Sequence, residues 1–147
     1  ISAKDIFMIG RGLDYFIAME GSLKLKEVSY IHSEAYASGE LKHGPLALIT
    51  EHTPVVAVAT QKQLLSKEVS NIREVRSRGA DVVLFAKEQL MPEEEEGYLT
   101  FELPDVRDEF MCLPAAAALQ LLAYYVSSDK GYDVDKPRNL AKVVTVE

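Results

Sequence analysis

Cysteine is almost absent from this chain, since Cys112 is the only one. A single cysteine excludes an internal disulfide framework and a cysteine-based metal cluster, and it fits a reducing compartment, so we expect a cytoplasmic protein. Positive charge is also scarce: 16 Lys and Arg residues stand against 23 Asp and Glu residues, which gives a net charge of −7. This balance argues against sequence-independent nucleic-acid binding and against binding to anionic membranes.

Long hydrophobic runs are scarce as well. The only one, residues 110–126, is shorter than a membrane span needs and contains Pro114 and Gln120, so it predicts a buried core helix. The N-terminus lacks a starting Met and the basic-then-apolar order of a signal peptide, which suggests an excised piece of a longer protein. The 147 residues are enough for one domain with its own core, and they show no internal repeat.

Apolar runs alternate with helical patterns along the chain. Strands are predicted at residues 6–9, 54–59, 81–86 and 98–103, and helices at residues 13–33, from 65 to a stop at Gly79, and at 109–127. A glycine-containing loop is predicted at residues 36–45. The alternation indicates an α/β fold, a three-layer, doubly wound parallel sheet that binds ligands beyond the carboxyl ends of its strands. We expect residues 1–130 to form this domain and residues 131–147 to form a tail that contributes to the site.

Three charged residues form a line on the first predicted helix. Glu20, Lys24 and Glu27 are four and three residues apart, so they lie within roughly 60° of one another around the helix axis. The opposite side carries a polar stripe of four residues: Ser22, Lys26, Ser29 and Ser33. Solvent is expected on the side of that stripe, which turns the charged line inward among apolar residues.

An inward charged line has two interpretations. It is either an internal set of ion pairs that stabilises the helix, or a site where burial and the two flanking acids give Lys24 the acid–base range for proton transfer near neutrality. Gly21 beside the line would let another backbone or a ligand approach closely, at about 1 kcal/mol of helix stability.

Other candidate residues lie in turns and in the tail. Gly10-Arg11-Gly12 follows a strand, but Tyr15 replaces the third glycine of a dinucleotide-binding turn, so a plain strand-to-helix turn is favoured. His43 in the predicted loop titrates in a useful range, although most single loop histidines are structural. Lys142 is either a solvated lysine on a C-terminal strand or a lysine that forms a Schiff base with a carbonyl substrate.

A metal site is not expected. His32 and His52 show no ligand spacing and no paired cysteine. Cys112 lies in an apolar helix without basic neighbours, so it is predicted to pack and not to act as a nucleophile. No pattern in the chain indicates a cofactor.

Two stretches are specific enough to indicate a family. EGSLKLKEVSYIHSEAYASGELKHGPLALI spans residues 20–49, and DVDKPRNLAKVVTVE spans residues 133–147. They resemble the C-terminal part of the glucosamine-6-phosphate synthases, the isomerising glutamine:fructose-6-phosphate aminotransferases that begin hexosamine synthesis. The resemblance covers the second of two sugar isomerase (SIS) subdomains and implies a flavodoxin-like sheet.

The resemblance also implies roles for individual residues. His43 would open the sugar ring in the neighbouring subunit's site of a homodimer. Lys142 would form the Schiff base with the open-chain ketose, Glu27 would move a proton between C1 and C2, and Lys24 would assist at the sugar hydroxyls. Two residues are expected to support substrate binding: Glu20 and Ala141.

Two parts of the family's machinery are missing from the chain. The Ser/Thr-rich loop that binds the sugar phosphate belongs to the first SIS subdomain, and residues 60–63 do not reproduce it. The N-terminal cysteine of the glutaminase has no counterpart either. We therefore expect a domain that carries isomerisation residues, needs the missing domains of its polypeptide and is inactive alone. The alternative is a non-catalytic module for sugar-phosphate binding or dimerisation on the same fold.

Overall fold

A computed structural model of the protein describes residues 3–91 and 98–140. Its centre is a sheet of five parallel strands: β1 (Asp5–Gly10), β2 (His32–Ala37), β3 (Pro54–Ala59), β4 (Asp81–Lys87) and β5 (Tyr98–Leu103). Within the same residues, three α-helices accompany the sheet: α1 (Leu13–Ser29), α2 (Leu65–Arg76) and α3 (Cys112–Asp129). The strand order β2-β1-β3-β4-β5 is that of flavodoxin-like sheets, so the predicted doubly wound α/β class is confirmed.

Strand β1 is paired on both sides. Ile9 stands opposite Tyr36 of β2 and Ala57 of β3. Residues 6–10 of β1 and 55–59 of β3 are all buried, as expected for a parallel sheet that is covered on both faces. The carboxyl ends of β1 and β3 meet at the switch point of the topology, where this class of fold places its ligands.

Two hydrophobic clusters cover the sheet. Helices α1 and α3 pack side by side on one face, with Leu25 and Leu119 in the shared cluster. Helix α2 covers the other face, where two short 3-10 segments also insert Leu41 and Leu46. The segments are Ser38–His43 and Pro45–Leu48. Each face of the sheet therefore has its own layer, and the residues after β2 belong to the α2 layer.

Strand β2 contradicts the sequence prediction, which continued the first helix to residue 33 and began a loop at residue 36. Helix α1 ends at Ser29, and Tyr30 caps it with a left-handed backbone at φ 59°. Residues His32–Ala37 then pair with β1 at the edge of the sheet. Ser33 occupies the buried position of this strand, and a serine there does not give the apolar signal of a strand.

The orientation of α1 is opposite to the prediction. All three serines of the supposedly solvated stripe are buried, and two of them lie on α1. Of these two, Ser22 Oγ donates to Ser33 O at 2.9 Å, and Ser29 Oγ donates to Leu25 O at 2.6 Å. Both hydroxyls find backbone acceptors, so these small residues lie inside without an unpaired donor. Lys26 is the exposed member of the stripe. The charged line consequently lies on the outer side of α1.

Helix α3 is only partly internal. The sequence predicted a buried core helix, and one side of α3 does enter the core through Ala115 and Leu119. The other side exposes Leu113 by 69% and Tyr125 by 65%. Asp108–Asp129 is long and apolar enough to cross a membrane by length and composition, but 33% of its most apolar window is buried in this fold. The prediction of a buried core helix therefore holds for one side of α3 only, because the other side leaves an apolar surface uncovered.

Cys112 is exposed at the first residue of α3, so its predicted packing role is wrong. Its Sγ lies 4.0 Å from Glu109 O in the preceding turn. The side chain stays outside because the core-facing side of the helix begins at Ala115.

Gly21 makes room for α3 on the inner side of α1. A Cβ at this position would lie 2.6 Å from Leu119 Cδ1 and 3.1 Å from Leu119 Cβ. Leu119 of α3 therefore makes the close approach that Gly21 permits.

We predict that Gly21→Ala lowers the free energy of unfolding by about 1 kcal/mol. Alanine gains about 1 kcal/mol of helix propensity over glycine, but overpacking a core costs roughly 1–3 kcal/mol, so the clash with Leu119 prevails. Urea unfolding followed by circular dichroism measures the change. The control is the same substitution in a Leu119→Ala background, where the destabilisation should be smaller because only the 3.1 Å contact with Cβ remains. Stabilisation in both backgrounds would contradict the packing described above.

Candidate active site

Ion pairs hold the charged line of α1 together. Lys24 Nζ lies 2.9 Å from Glu27 Oε2 and 3.7 Å from Glu20 Oε1. The side chains are partly exposed, Glu20 by 44%, Lys24 by 31% and Glu27 by 23%. The structure thus brings these three predicted residues together, but on the outer surface of the helix and not in the interior.

Lys24 is an ammonium group at neutral pH. Its hydrogen bond to Glu27 raises its pKa above the ordinary lysine value against the opposing effect of partial burial, and the charges of Glu27 and Glu20 raise it further. This upward direction is opposite to the one that proton transfer by Lys24 near neutrality would require. The line instead combines a fixed positive charge, which can stabilise a negative oxygen, with carboxylates that can accept a proton.

Apolar side chains surround the charged line. Four residues of α1 are exposed by 43% to 65%: Leu13, Phe16, Met19 and Leu23. Beside Glu20, the first turns of α1 and the start of α3 enclose a pocket of about 250 Å³. Contiguous apolar surface of this kind, with polar groups within it, marks a place where another surface or a ligand binds.

The chain after α3 returns to the end of α1. The ring of Tyr132 lies 5.0 Å from that of Tyr30, and the Arg138 guanidinium lies 4.1 Å from the centre of the Tyr30 ring. The Arg138 amide also donates to Tyr30 Oη at 2.8 Å. Tyr30 is three residues beyond Glu27, so this anchor lies about one helical turn from the charged line. Two predicted site residues follow the anchor but lie outside the described residues: Ala141 and Lys142.

His43 is not brought to the charged line within one chain. It ends the 3-10 segment Ser38–His43, which is packed into the α2 layer by Leu41, whereas α1 lies on the other face of the sheet. Its side chain is 73% exposed, and its Nδ1 lies 2.7 Å from Glu40 Oε2. The imidazole is therefore open to solvent on the far side of the sheet from Glu27.

A buried polar network at the carboxyl ends of β1 and β3 was not predicted from the sequence. Asp14 accepts hydrogen bonds from Thr60 N at 2.8 Å and from Thr60 Oγ1 at 2.5 Å, and burial raises its pKa above the usual value despite these bonds. Gln61 Nε2 donates to Arg11 O at 2.7 Å. The edge where this class of fold binds ligands is thus occupied by the protein's own side chains.

Glu68 of α2 belongs to the same buried edge. It is 2% exposed, Ser38 Oγ donates to its Oε1 at 2.7 Å, and its Oε2 lies 3.8 Å from Arg11 Nε. Burial raises the pKa of Glu68 to about 7, although the Ser38 bond and the Arg11 charge act in the opposite direction. Strongly perturbed carboxyl groups cluster at functional sites, so Glu68 is a candidate that sequence reasoning missed.

The two remaining histidines lie at the amino edge of the sheet. His32 Nδ1 lies 3.0 Å from Asp5 Oδ1, and His52 Nδ1 lies 3.3 Å from Asp81 Oδ2. Both pairs border an open cleft of about 660 Å³. In the part of the chain that the structure describes, no three potential ligands are grouped to hold a metal ion.

The parallel sheet and its accompanying layers are those of a known class. The family model described as the SIS domain matches residues 1–127. The chain therefore belongs to the SIS domain family, as its resemblance implied.

Within that family the chain is similar to aminotransferases. It is 58% identical over 146 residues to the glutamine–fructose-6-phosphate aminotransferase (isomerizing) of Caldanaerobacter subterraneus subsp. tengcongensis, and 58% identical over 144 residues to that of Clostridium acetobutylicum. These matches cover 99% and 98% of this chain but 24% of each relative, in its C-terminal portion. The chain thus spans about a quarter of the length of the curated relatives it matches.

Solved structures agree with the sequence matches. The C-terminal domain of glucosamine-fructose-6-phosphate aminotransferase from Francisella tularensis has a TM-score of 0.88 and 45% identity, over 92% of this chain and 38% of that one. Glucosamine-6-phosphate deaminase from Thermotoga maritima has a TM-score of 0.75 and 27% identity, over 97% of this chain and 40% of that one.

Proposed function

We propose that this chain is the C-terminal SIS domain of an enzyme that converts fructose 6-phosphate and glutamine into glucosamine 6-phosphate and glutamate. The observation that carries the proposal is Lys24, ion-paired between Glu20 and Glu27 on an uncovered face of α1, in a chain 58% identical to aminotransferases of that name. The chain supplies the residues that turn a ketose into an aldose. The expected location is the cytoplasm, where the single cysteine stays reduced.

Ketose-to-aldose conversion moves a proton from C1 to C2 of the open-chain sugar. The C1–H bond breaks, the proton passes to a carboxylate, and the electron pair forms a C1–C2 double bond. At the same time the electron pair of the double bond between C2 and its heteroatom moves to that heteroatom, which takes up a proton. The carboxylate then returns the proton to C2, where the C1–C2 electron pair forms the new C–H bond, and the C1 hydroxyl loses its proton as it becomes a carbonyl. Glu27 is the proposed base, because it is the least exposed acid of the line and is held 2.9 Å from Lys24. The Lys24 ammonium stabilises the charge that develops on the sugar oxygens, and Glu20 helps to bind the substrate.

Lys142 is the proposed covalent partner of the ketose. Its amine adds to the C2 carbonyl, water leaves, and a Schiff base forms. Ammonia released from glutamine then adds to C2 and displaces the lysine amine, so the C2 nitrogen that remains during proton transfer is the nitrogen of glucosamine 6-phosphate. Arg138, which lies on Tyr30, is four residues earlier, and four extended residues reach at most about 14 Å. Because Tyr30 caps the end of α1 that carries Glu27, this reach allows Lys142 and its neighbour Ala141 to meet the charged line.

The charged line needs a cover before it can hold a sugar phosphate. Exposed apolar side chains of α1 and α3 surround it, and at the ligand edge Thr60 and Gln61 are already bonded to Asp14 and Arg11. This chain corresponds to 24% of its curated relatives. The preceding part of such a polypeptide supplies the phosphate-binding loop and the glutaminase in this proposal, and the chain alone is inactive.

The proposed function predicts activity for the complete enzyme and none for the isolated chain. The complete enzyme is made by joining this chain to the part of the Clostridium acetobutylicum relative that precedes the matched segment. It should form glucosamine 6-phosphate from fructose 6-phosphate and glutamine, as measured by chromatography. The isolated chain in ammonium buffer should form none, because it lacks the phosphate anchor that positions the sugar. A complete enzyme that binds fructose 6-phosphate without turnover would favour the binding module instead.

Glu27→Gln in the complete enzyme should stop proton transfer while substrate binding stays largely intact. The amide keeps the shape of the side chain but cannot accept the proton, so kcat should fall by about a hundredfold or more. Exchange of the C1 hydrogen with deuterated solvent, followed by NMR, reads this step directly. Glu20→Gln is the matched control and should raise KM more than it lowers exchange. Near-normal exchange in Glu27→Gln would contradict this role and would show that the charged line only stabilises the helix through its ion pairs.

His43 acts in the site of a second subunit in this proposal. Within one chain it belongs to the α2 layer, whereas Glu27 is on α1 on the other face of the sheet. Its 73% exposure leaves the imidazole accessible to another copy. We propose a homodimer in which each site combines the charged line of one copy with His43 of the other.

Mixing inactive subunits tests this arrangement. Complete enzymes that carry His43→Ala or Glu27→Gln should each be nearly inactive, because every site in either homodimer lacks one group. After the two are unfolded and refolded together, half of the dimers are mixed and each mixed dimer has one intact site, so about a quarter of the unmodified activity should return. Light scattering checks that the mixture is dimeric. Absence of any recovery would place His43 in the site of its own subunit.

A further inference from the structure

The 3-10 segment that ends in His43 is anchored at its first residue. Ser38 is buried; its Oγ donates to Glu68 Oε1 at 2.7 Å, and its carbonyl accepts from Asn71 Nδ2 at 2.5 Å. Glu68 and Asn71 are three residues apart on α2, so they share one face of that helix. Both bonds lie in the interior, where the loss of a partner leaves a polar group unsatisfied.

Arg11 connects this anchor to the turn after β1. Its Nη2 and Nε donate to Asn71 Oδ1 at 3.0 and 3.3 Å, and its Nε lies 3.8 Å from Glu68 Oε2. The guanidinium also fills the space beside Gly39, where an added Cβ would lie 3.0 Å from Nη2. Arg11 therefore contacts the two residues that hold Ser38 and the next residue of the segment.

The remainder of the segment is fixed by the side chains of Leu41 and Lys42 and not by groups around the imidazole. Leu41 is fully buried in the α2 layer, and Lys42 Nζ lies 3.4 Å from Glu74 Oε2 on α2. His43 follows directly, 73% exposed, with its Nδ1 2.7 Å from Glu40 of the same segment. The position of the ring thus follows from where Ser38 and Leu41 are held.

We propose that Glu68, with Asn71 and Arg11, is a positioning residue that fixes His43 for ring opening. This inference rests on the proposed function, in which His43 opens the ring of the sugar. The three residues touch Ser38 and Gly39 and not the substrate. A misplacement of about 1 Å lowers a rate by up to about a hundredfold, so loosening Ser38 slows ring opening. Proton transfer at Glu27, on the other face of the sheet, is unaffected.

Burial of the Glu68 carboxylate lowers the stability of the fold, which supports a role for this residue beyond stability. Among the described residues, its Oε2 is a buried atom that accepts no hydrogen bond, and a buried carboxylate of this kind destabilises a fold relative to an apolar residue. Burial raises its pKa to about 7 against the attraction of Arg11, and Asp14 raises it further.

The experiment separates ring opening from proton transfer. In the complete enzyme, Glu68→Leu is assayed on fructose 6-phosphate and on its 5-deoxy analogue, which lacks the hydroxyl that closes the ring and is always open. We expect kcat to fall by about ten- to a hundredfold on fructose 6-phosphate and to stay nearly unchanged on the analogue. Glu68→Gln retains an oxygen that can accept from Ser38 and should recover most of the loss.

Two further variants make the result decisive. His43→Ala should show the same preference for the analogue, because both changes act on ring opening. Ile72→Val, a buried change on α2 in the hydrophobic cluster, should affect the two substrates equally. Equal losses on both substrates in Glu68→Leu, or no loss on either, would overturn the inference. An unmodified complete enzyme that is inactive on both substrates would contradict the proposed function instead.

Discussion

Close packing of α1 through its small residues determines which side of this helix carries the charged line. Gly21 accommodates Leu119 of α3, and Ser22 donates to the backbone of β2 at Ser33. With this side of the helix inside, the 3.6-residue period turns the charged line outward. The candidate site is therefore a helix surface beside α3, with exposed apolar side chains around it, and not an interior cavity. In the proposed function, the other groups of the site, His43 and Lys142, reach that surface from outside α1.

The sheet was predictable wherever its strands give a periodic apolar signal. The four strands expected at residues 6–9, 54–59, 81–86 and 98–103 are present, with boundaries that differ by at most one residue. The fifth, β2, was missed because its buried position holds Ser33 and its flanking positions hold His32 and Glu34. Its strand conformation depends on pairing with β1, which is a tertiary contact that the local sequence does not encode.

The orientation of α1 was predicted wrongly for the same reason, because tertiary contacts that the local sequence does not encode decide which side of the helix is buried. The spacing of Glu20, Lys24 and Glu27 predicted their ion pairs, because helical geometry alone brings such residues together. Which side is buried depended on the serines. Ser22 is tolerated inside because a carbonyl of β2, eleven residues later, accepts its hydroxyl. Polarity of a residue type is thus a poor guide to exposure when a backbone acceptor is within reach.

The polar edge at the carboxyl ends of the strands is filled by the protein's own side chains, which agrees with the proposal that the site needs more than this chain. In doubly wound folds that edge receives the ligand, yet here Asp14 binds Thr60, and Glu68 holds Ser38 beside Arg11. An anion at this edge would have to displace buried hydrogen bonds and lie near two carboxyl groups, which is unfavourable. In the proposed function the sugar phosphate is therefore anchored elsewhere.

The position of His43 is a second reason why the proposed site needs groups from outside one copy of the chain. It lies on the α2 face, whereas Glu27 lies on α1 across a sheet whose strands are buried on both sides. No rearrangement of side chains can bring these two groups together through a packed sheet. The proposed active site, which uses both groups, is therefore formed between two copies of the chain. In that proposal the buried edge of one copy holds the His43 segment for the neighbouring copy.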